Sequence, residues 1–182
     1  MLVETVETPN PNSLKFVPNM TVSEIGPVEV FKDKEDQKIP LASSILAIEG
    51  VTSIFFGNDF ISVNKKTPVK WDDLKPGIIS EINDFYSKGN KVVLKKKLEK
   101  NNDKKEESEI IIKIKEVLET KIRPAVARDG GDIKFKSFND GVVTVELQGS
   151  CSGCPSSTIT LKRGVENMLK HYVAEVNSVE SM

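Results

Sequence analysis

The chain has 182 residues, a net charge of −1, 38% hydrophobic and 29% charged residues. Charge this balanced creates no global field toward nucleic acid or an anionic lipid surface, and no apolar run approaches the ~20 residues needed to span a bilayer. The two cysteines, Cys151 and Cys154, are too few for a disulfide framework and read as a site in a reducing compartment. The opening Met1-Leu2-Val3-Glu4 lacks the basic-then-apolar order of a secretory signal, and Glu4 and Glu7 run against an acid-poor transit peptide. The expectation is a cytoplasmic protein or a processed organellar one.

In chain order, Val3 to Glu7 and Ser13 to Val17 read as short strands around Thr8-Pro9-Asn10-Pro11-Asn12, which is dense in turn residues and reads simply as a turn. Val28 to Phe31 is a third strand. Pro40 to Ile48 predicts a short helix with Leu41, Ile45 and Ile48 on one side, ended by Gly50. Val51 to Phe56 and Phe60 to Asn64 flank Gly57-Asn58-Asp59, a hairpin signal, with Ile54 and Phe56 sharing one face of their strand, as do Ile61 and Val63 on theirs. Asp72 or Asp73 is expected to cap a helix that carries Leu74, Ile78, Ile82 and Phe85 to a stop at Gly89, with Pro76 and Gly77 blurring its start. Trp71 and the nearby phenylalanines read as core. This half has no Cys or His and reads as a scaffold or partner-binding module.

Lys95 to Glu107 is almost wholly charged or amide. It cannot bury enough surface to offset ordering entropy and is expected to be a flexible linker. Interleaved acids and the lack of an aromatic for stacking argue against a nucleic-acid patch. Beyond it, Ser108 is a plausible N-cap for a helix striped by Ile110, Ile111, Ile114, Val117, Leu118 and Ile122, which Pro124 interrupts. Arg128-Asp129-Gly130-Gly131-Asp132 reads first as a helix stop and turn, or alternatively as a loop packed close to the cysteines. Strands Ile133 to Phe138 and Val142 to Leu147 join through Asn139-Asp140-Gly141. A helix from Ser156 to Tyr172 and an edge strand, Val173 to Val179, complete a helix-strand-strand-helix-strand order. The expected fold is α+β: residues 1–94 and 108–182 form two small α+β domains, joined by a linker over 95–107.

Gly149-Ser150-Cys151-Ser152-Gly153-Cys154-Pro155 lies between the last hairpin strand and its helix. A C-x-x-C pair either clamps one soft metal centre or runs thiol–disulfide chemistry. Pro155 suits the first helical position, which puts Cys154 near the N-cap, where the helix end favours thiolate. The glycines and serines around the pair describe an open polar loop. A thioredoxin-like oxidoreductase would carry the motif early in a βαβ unit, not after a late hairpin. Two such pairs from a dimer would also make a tetrahedral four-thiolate zinc site. Buried structural cysteines are the blandest alternative. His171, near a helix C-terminus, reads as a surface residue. No acid–base pair, nucleophile–histidine pair or phosphate-cradling loop is evident, so the chain does not read as an enzyme.

Arg123-Pro124 through Asp129-Gly130-Gly131-Asp132-Ile133, followed by Gly149 to Ser157 around the cysteines, resembles the NifU-like domain of the Nfu family of iron–sulfur proteins. Glu7-Thr8-Pro9-Asn10-Pro11-Asn12-Ser13-Leu14-Lys15-Phe16 resembles the Nfu N-terminal domain. The resemblance implies a scaffold or carrier that assembles or receives a 4Fe–4S cluster and hands it to apo iron–sulfur acceptor proteins, together with upstream cluster-assembly proteins. Such a cluster normally takes four thiolates, and one chain has two. Cys151 and Cys154 of two chains would therefore share it across a homodimer, with no role for nucleic acid or membrane. Lys162 and Arg163, on the polar side of the helix after the cysteines, read first as a solvated face and alternatively as a balance to the cluster's charge or a partner contact. Ser152, Ser156 and Ser157 are candidate donors to sulfur, and two modules on a flexible tether imply that the N-terminal domain docks partners. The absence of a presequence points to the bacterial cytoplasm, or to the mitochondrial matrix if the form is processed.

Overall fold

Alternation along five short segments sorts the first half of the chain onto two faces of one sheet. In the computed structural model, which describes residues 2–23, 26–33, 39–92, 108–152 and 155–182 (155–158 by backbone), these segments are β1 (Glu4–Glu7), β2 (Ser13–Val17), β3 (Val28–Phe31), β4 (Val51–Phe56) and β5 (Ile61–Lys65). They lie in the order β1-β2-β5-β4-β3, every neighbouring pair antiparallel. Successive side chains of a strand point to opposite faces. Leu14, Phe16, Val30, Ile54, Phe56, Ile61 and Val63 therefore share one face. There they are buried with Leu41 and Ile45 of α1 (Pro40–Ala47) and Leu74, Ile78 and Ile82 of α2 (Trp71–Ser87). The expected cap of α2 is corrected: Asp72 and Asp73 lie in its first turn, where carboxylates favour the helix dipole, and Lys70 precedes it without a side-chain cap. Trp71 packs at the margin of this core and donates its indole N–H to the Pro11 carbonyl at 3.0 Å.

The second half builds its own core. Ser108 starts α3 (Glu109–Val117), its Oγ accepting the Ile111 N–H at 3.4 Å. The helix widens into a π-helical turn, Leu118–Ile122, before α4 (Arg123–Arg128). Pro124 accounts for the widening: it has no N–H to donate and its ring crowds the preceding turn's carbonyl. β6 (Gly131–Asn139) and β7 (Val142–Gly149) form the predicted hairpin, with Asp140 (φ 49°) and Gly141 (φ 80°) both left-handed at its tip. α5 (Pro155–Tyr172) follows the cysteine loop. β8 (Ser178–Ser181) then adds a parallel edge to β7, later than the predicted 173–179, because Val173 and Val176 point from a loop into the core. Residues 93–107, which contain the predicted linker, lie outside the described residues. Among the described residues no helix is long and apolar enough to cross a membrane.

The other face of the first sheet decides what the two cores do together. It carries Lys15, Glu29, Phe55, Ser62 and Asn64. Phe55, Ser62 and Asn64 are buried there, Ser62 completely, against the base of the β6–β7 hairpin.

Candidate functional site

The cysteine loop is held by glycines from two directions. Gly131 opens β6 directly opposite Gly149, the last residue of β7. A β-carbon on Gly131 would stand 2.5 Å from the Cys151 sulfur and 2.7 Å from the Gln148 carbonyl oxygen, so only glycine lets the loop lie this close. Gly130 (φ 82°) makes the tight turn before it, and its carbonyl accepts the Ser150 N–H at 3.1 Å. The Arg128–Asp132 segment is thus both a helix stop and a wall of the cysteine loop. The first-favoured reading, a plain stop and turn, captured only half of it. Asp132 fixes this wall: buried, it accepts Arg123 Nε at 2.7 Å and Nη2 at 2.9 Å in a bidentate pair. The Asp132 hydrogen bond is the main reason the Arg123 guanidinium is held above its ordinary pKa, against the opposing effect of burial.

Cys151 is 7% exposed and belongs to the core of the second half. Burial pushes its thiol up to about 11, partly offset by the Ser150 hydroxyl 3.8 Å from its sulfur. One expectation is corrected here: the loop is not open around Cys151, where burial favours thiol over thiolate, while the thiolate expected at Cys154 lies outside the described residues. The glycines and serines that suggested openness are used in packing: Ser150 Oγ donates to the Asp129 carbonyl and Ser152 Oγ to the Gly149 carbonyl at 2.8 Å. Gly153 and Cys154 lie outside the described residues, as do the side chains of Ser156 and Ser157. A cavity of about 520 Å³ opens beside Cys151, walled mainly by Ile122, Val126, Leu161 and Met168, with Asn10 at its rim. His171 is exposed in the last turn of α5, edge-on to Tyr172. Arg163 is exposed and Lys162 half-buried on the same helix.

The first domain supplies residues that sequence reasoning missed. The Asn10 side-chain amide donates to the carbonyls of Ser150 (2.9 Å) and Ser152 (3.4 Å), straddling Cys151, while its Oδ1 accepts the Asn12 N–H at 3.0 Å. Asn64 donates to the Gly149 carbonyl at 3.2 Å, and Ser62 to the Gly130 carbonyl at 2.6 Å. Lys15 Nζ reaches the Ala127 carbonyl at 3.0 Å, and Glu29 accepts weakly from the Gly149 N–H and Ser152 Oγ, both at 3.4 Å. One signal was available: Ile54-Phe55-Phe56 is apolar on both faces of its strand, which a sheet open to water on one side does not need.

A C-x-x-C loop walled by glycines in one α+β domain and overlaid by the sheet of a second defines a two-domain cysteine-site protein. The NifU-like domain family matches residues 114–180, and the family of scaffold protein Nfu/NifU N-terminal domains matches residues 3–89. The chain belongs to the Nfu family of NifU-like proteins, a family of scaffolds and not of enzymes. It is 47% identical over 185 residues to NifU-like protein 4, mitochondrial, of Arabidopsis thaliana, covering 99% of this chain and 65% of that protein. It is 45% identical over 183 residues to the NFU1 iron-sulfur cluster scaffold homolog, mitochondrial, of Homo sapiens, covering 100% of this chain and 72% of that protein. Among solved structures, a solution structure of a NifU-like protein from Saccharomyces cerevisiae is 28% identical over 52% of this chain and 86% of its own, with a TM-score of 0.49. The chain thus spans about two thirds of the length of these curated relatives. The names of the plant and human relatives are mitochondrial, which overturns the expectation of a bacterial cytoplasm. That expectation rested on the opening residues, and these say nothing of compartment in a chain that spans only part of its relatives.

Proposed function

We propose that this chain is a mitochondrial scaffold and carrier for iron–sulfur clusters, with Cys151 and Cys154 as its ligands. The observation that carries the reading is the ligand count at the glycine-walled loop. The only two cysteines of the chain sit there, in a domain whose relatives include a named iron–sulfur cluster scaffold. A cluster takes four thiolates, so two chains meeting at this loop complete the set as a homodimer around one 4Fe–4S cargo. Transfer is then thiolate exchange. Each acceptor thiol gives up a proton as its sulfur binds iron, and each released cysteine, Cys151 or Cys154, takes one back. Apo iron–sulfur proteins are the acceptors, and upstream assembly proteins supply the cargo. The first domain governs access to the loop.

Anaerobic reconstitution with iron and sulfide tests this. About four irons and four sulfides per two chains, broad visible absorption and a dimeric mass are expected. Cys151→Ala and Cys154→Ala should each abolish the chromophore. A colourless protein whose two thiols cycle to a disulfide would sink the reading, and a colourless four-thiolate zinc dimer would replace transfer with a structural role.

A further inference from the structure

We infer that the polar face of the first sheet is a docking surface for the chain's own cysteine loop, that Asn10 is the residue that latches it, and that cluster loading requires the latch to release. The inference rests on the proposed role of Cys151 as a cluster ligand.

The contact is specific in a way that chance packing is not. Its hydrogen bonds run from side chains of the sheet and of the turn between β1 and β2 to main-chain groups of two facing stretches of the second domain, 127–130 and 149–152. Asn10, Asn64, Ser62 and Lys15 all donate to carbonyls there, and Glu29 accepts the one N–H that faces it. Phe55 closes against Gly149, whose missing side chain makes the room: a β-carbon there would stand 3.0 Å from the Phe55 ring. Asn10 and Ser62 are buried to the same degree as the core, so the donors they aim across depend on the contact for their partners, while Asn64 adds a second bond to the one it makes with Ser53 Oγ in its own sheet. Asn10 is singular among them. It binds the carbonyls on both sides of Cys151, so the loop backbone that carries the sulfur cannot lift outward without breaking both bonds. In the seated state Cys151 is only 7% exposed, so it must be uncovered before a second chain's cysteines can share a cluster with it. The site can be stored closed or used open, but not both.

Asn10→Asp tests the latch with little change of shape. The carboxylate still accepts the Asn12 N–H that holds the turn, but it cannot donate to Ser150 or Ser152 and is repelled by their carbonyls. In a Cys154→Ser background, the only thiol left is that of Cys151. Its alkylation by iodoacetamide is followed in native buffer at low urea, where a rate independent of urea reports local opening and not global unfolding. Asn10→Asp should speed alkylation about tenfold or more, the effect of losing the buried 2.9 Å bond to Ser150 together with the weaker one to Ser152. On the parent with both cysteines, hydrogen exchange over residues 61–65 and 149–152 should rise when the cluster is loaded. Equal alkylation rates in a folded Asn10→Asp protein would overturn the latch. So would unchanged exchange after loading, which also decides the matter if Asn10→Asp does not fold. If Asn10→Asp speeds alkylation but the parent takes up no cluster, the latch stands and the scaffold reading falls. If the parent loads with no change at either segment, the scaffold reading stands and the latch falls.

Discussion

Gly131 and Cys151 touch so closely that a single β-carbon between them is excluded: on Gly131 it would lie 2.5 Å from the cysteine sulfur. The backbone of Gly131 itself has no left-handed φ, so its glycine is a matter of space and not of conformation. Gly131→Ala should therefore act as overpacking, costing about 1–3 kcal/mol of stability in urea unfolding. It should also push the cysteine sulfur off its place, so cluster yield on reconstitution should fall by more than the lost stability accounts for. A yield equal to that of an equally destabilised variant elsewhere in the second core, such as Val179→Ala, would mean that Gly131 serves packing alone.

Asp132 holds the same wall from the other side. Its side chain is 7% exposed and meets an Arg123 that is 28% exposed. Asp132→Asn keeps the shape but removes the charge and half of the bidentate acceptance. With Arg123 left partly solvated, the loss should be about 1–3 kcal/mol, short of that for a wholly buried pair. Arg123→Met with Asp132→Leu should recover much of it, since an apolar pair leaves no stranded charge. Urea midpoints of the single and double variants decide this.

Most of the fold was legible because its signals are local. Alternation marked the strands, Asn139-Asp140-Gly141 marked the hairpin, and Ser108 marked the helix start, each within a few residues. The cysteine motif and the helix that follows it were legible as local features for the same reason. What escaped was the relation between the halves. Ser62 and Asn64 alternate with Ile61 and Val63 as a solvent-facing row would, yet both are buried. A polar residue that satisfies a distant backbone carbonyl looks, in sequence, like one that faces water. The exposure expected of the cysteine loop failed on the same point. Glycines and serines pack closely as readily as they open a loop, and only the partner opposite decides which.

Tyr86 offers a pH test remote from the cysteines. Its hydroxyl oxygen is buried with no hydrogen-bond partner among the described residues, and burial raises it from the ordinary 10.0 to about 12. The neutral form is thus favoured in the fold. The stability this carries is fully present below pH 10 and is lost as pH rises through about 12. Tyr86→Phe removes an unsatisfied buried hydroxyl, so it should be neutral or slightly stabilising at pH 7. Near pH 11 its advantage over the parent should grow, by no more than about 1 kcal/mol because the group is only partly buried. Paired urea titrations at the two pH values measure the difference, and an advantage that stays constant with pH would show that the tyrosine titrates normally.

Removal of the cargo separates two ways of holding the proposed dimer. If four thiolates from two chains are the only bonds between them, stripping the iron with a chelator should return the mass from two chains to one, with the visible absorption lost in step. The alternative is a protein–protein interface that outlasts the cluster. Around the cysteine loop, α5 offers a place for it, where Ile159 is 54% exposed, Met168 38% and Tyr172 43%, with Ile159 half a turn away from the other two. These are spaced along the helix and do not form one broad patch, and single exposed apolar residues are ordinary on a protein surface. The thiolate bonds should therefore dominate, and the stripped protein should sediment as one chain at micromolar concentration. A dimer that persists after stripping, but is lost in Met168→Ser with Tyr172→Ser, neighbours one turn apart on α5, would move the assembly interface onto that helix and leave the cluster as a passenger between chains already paired.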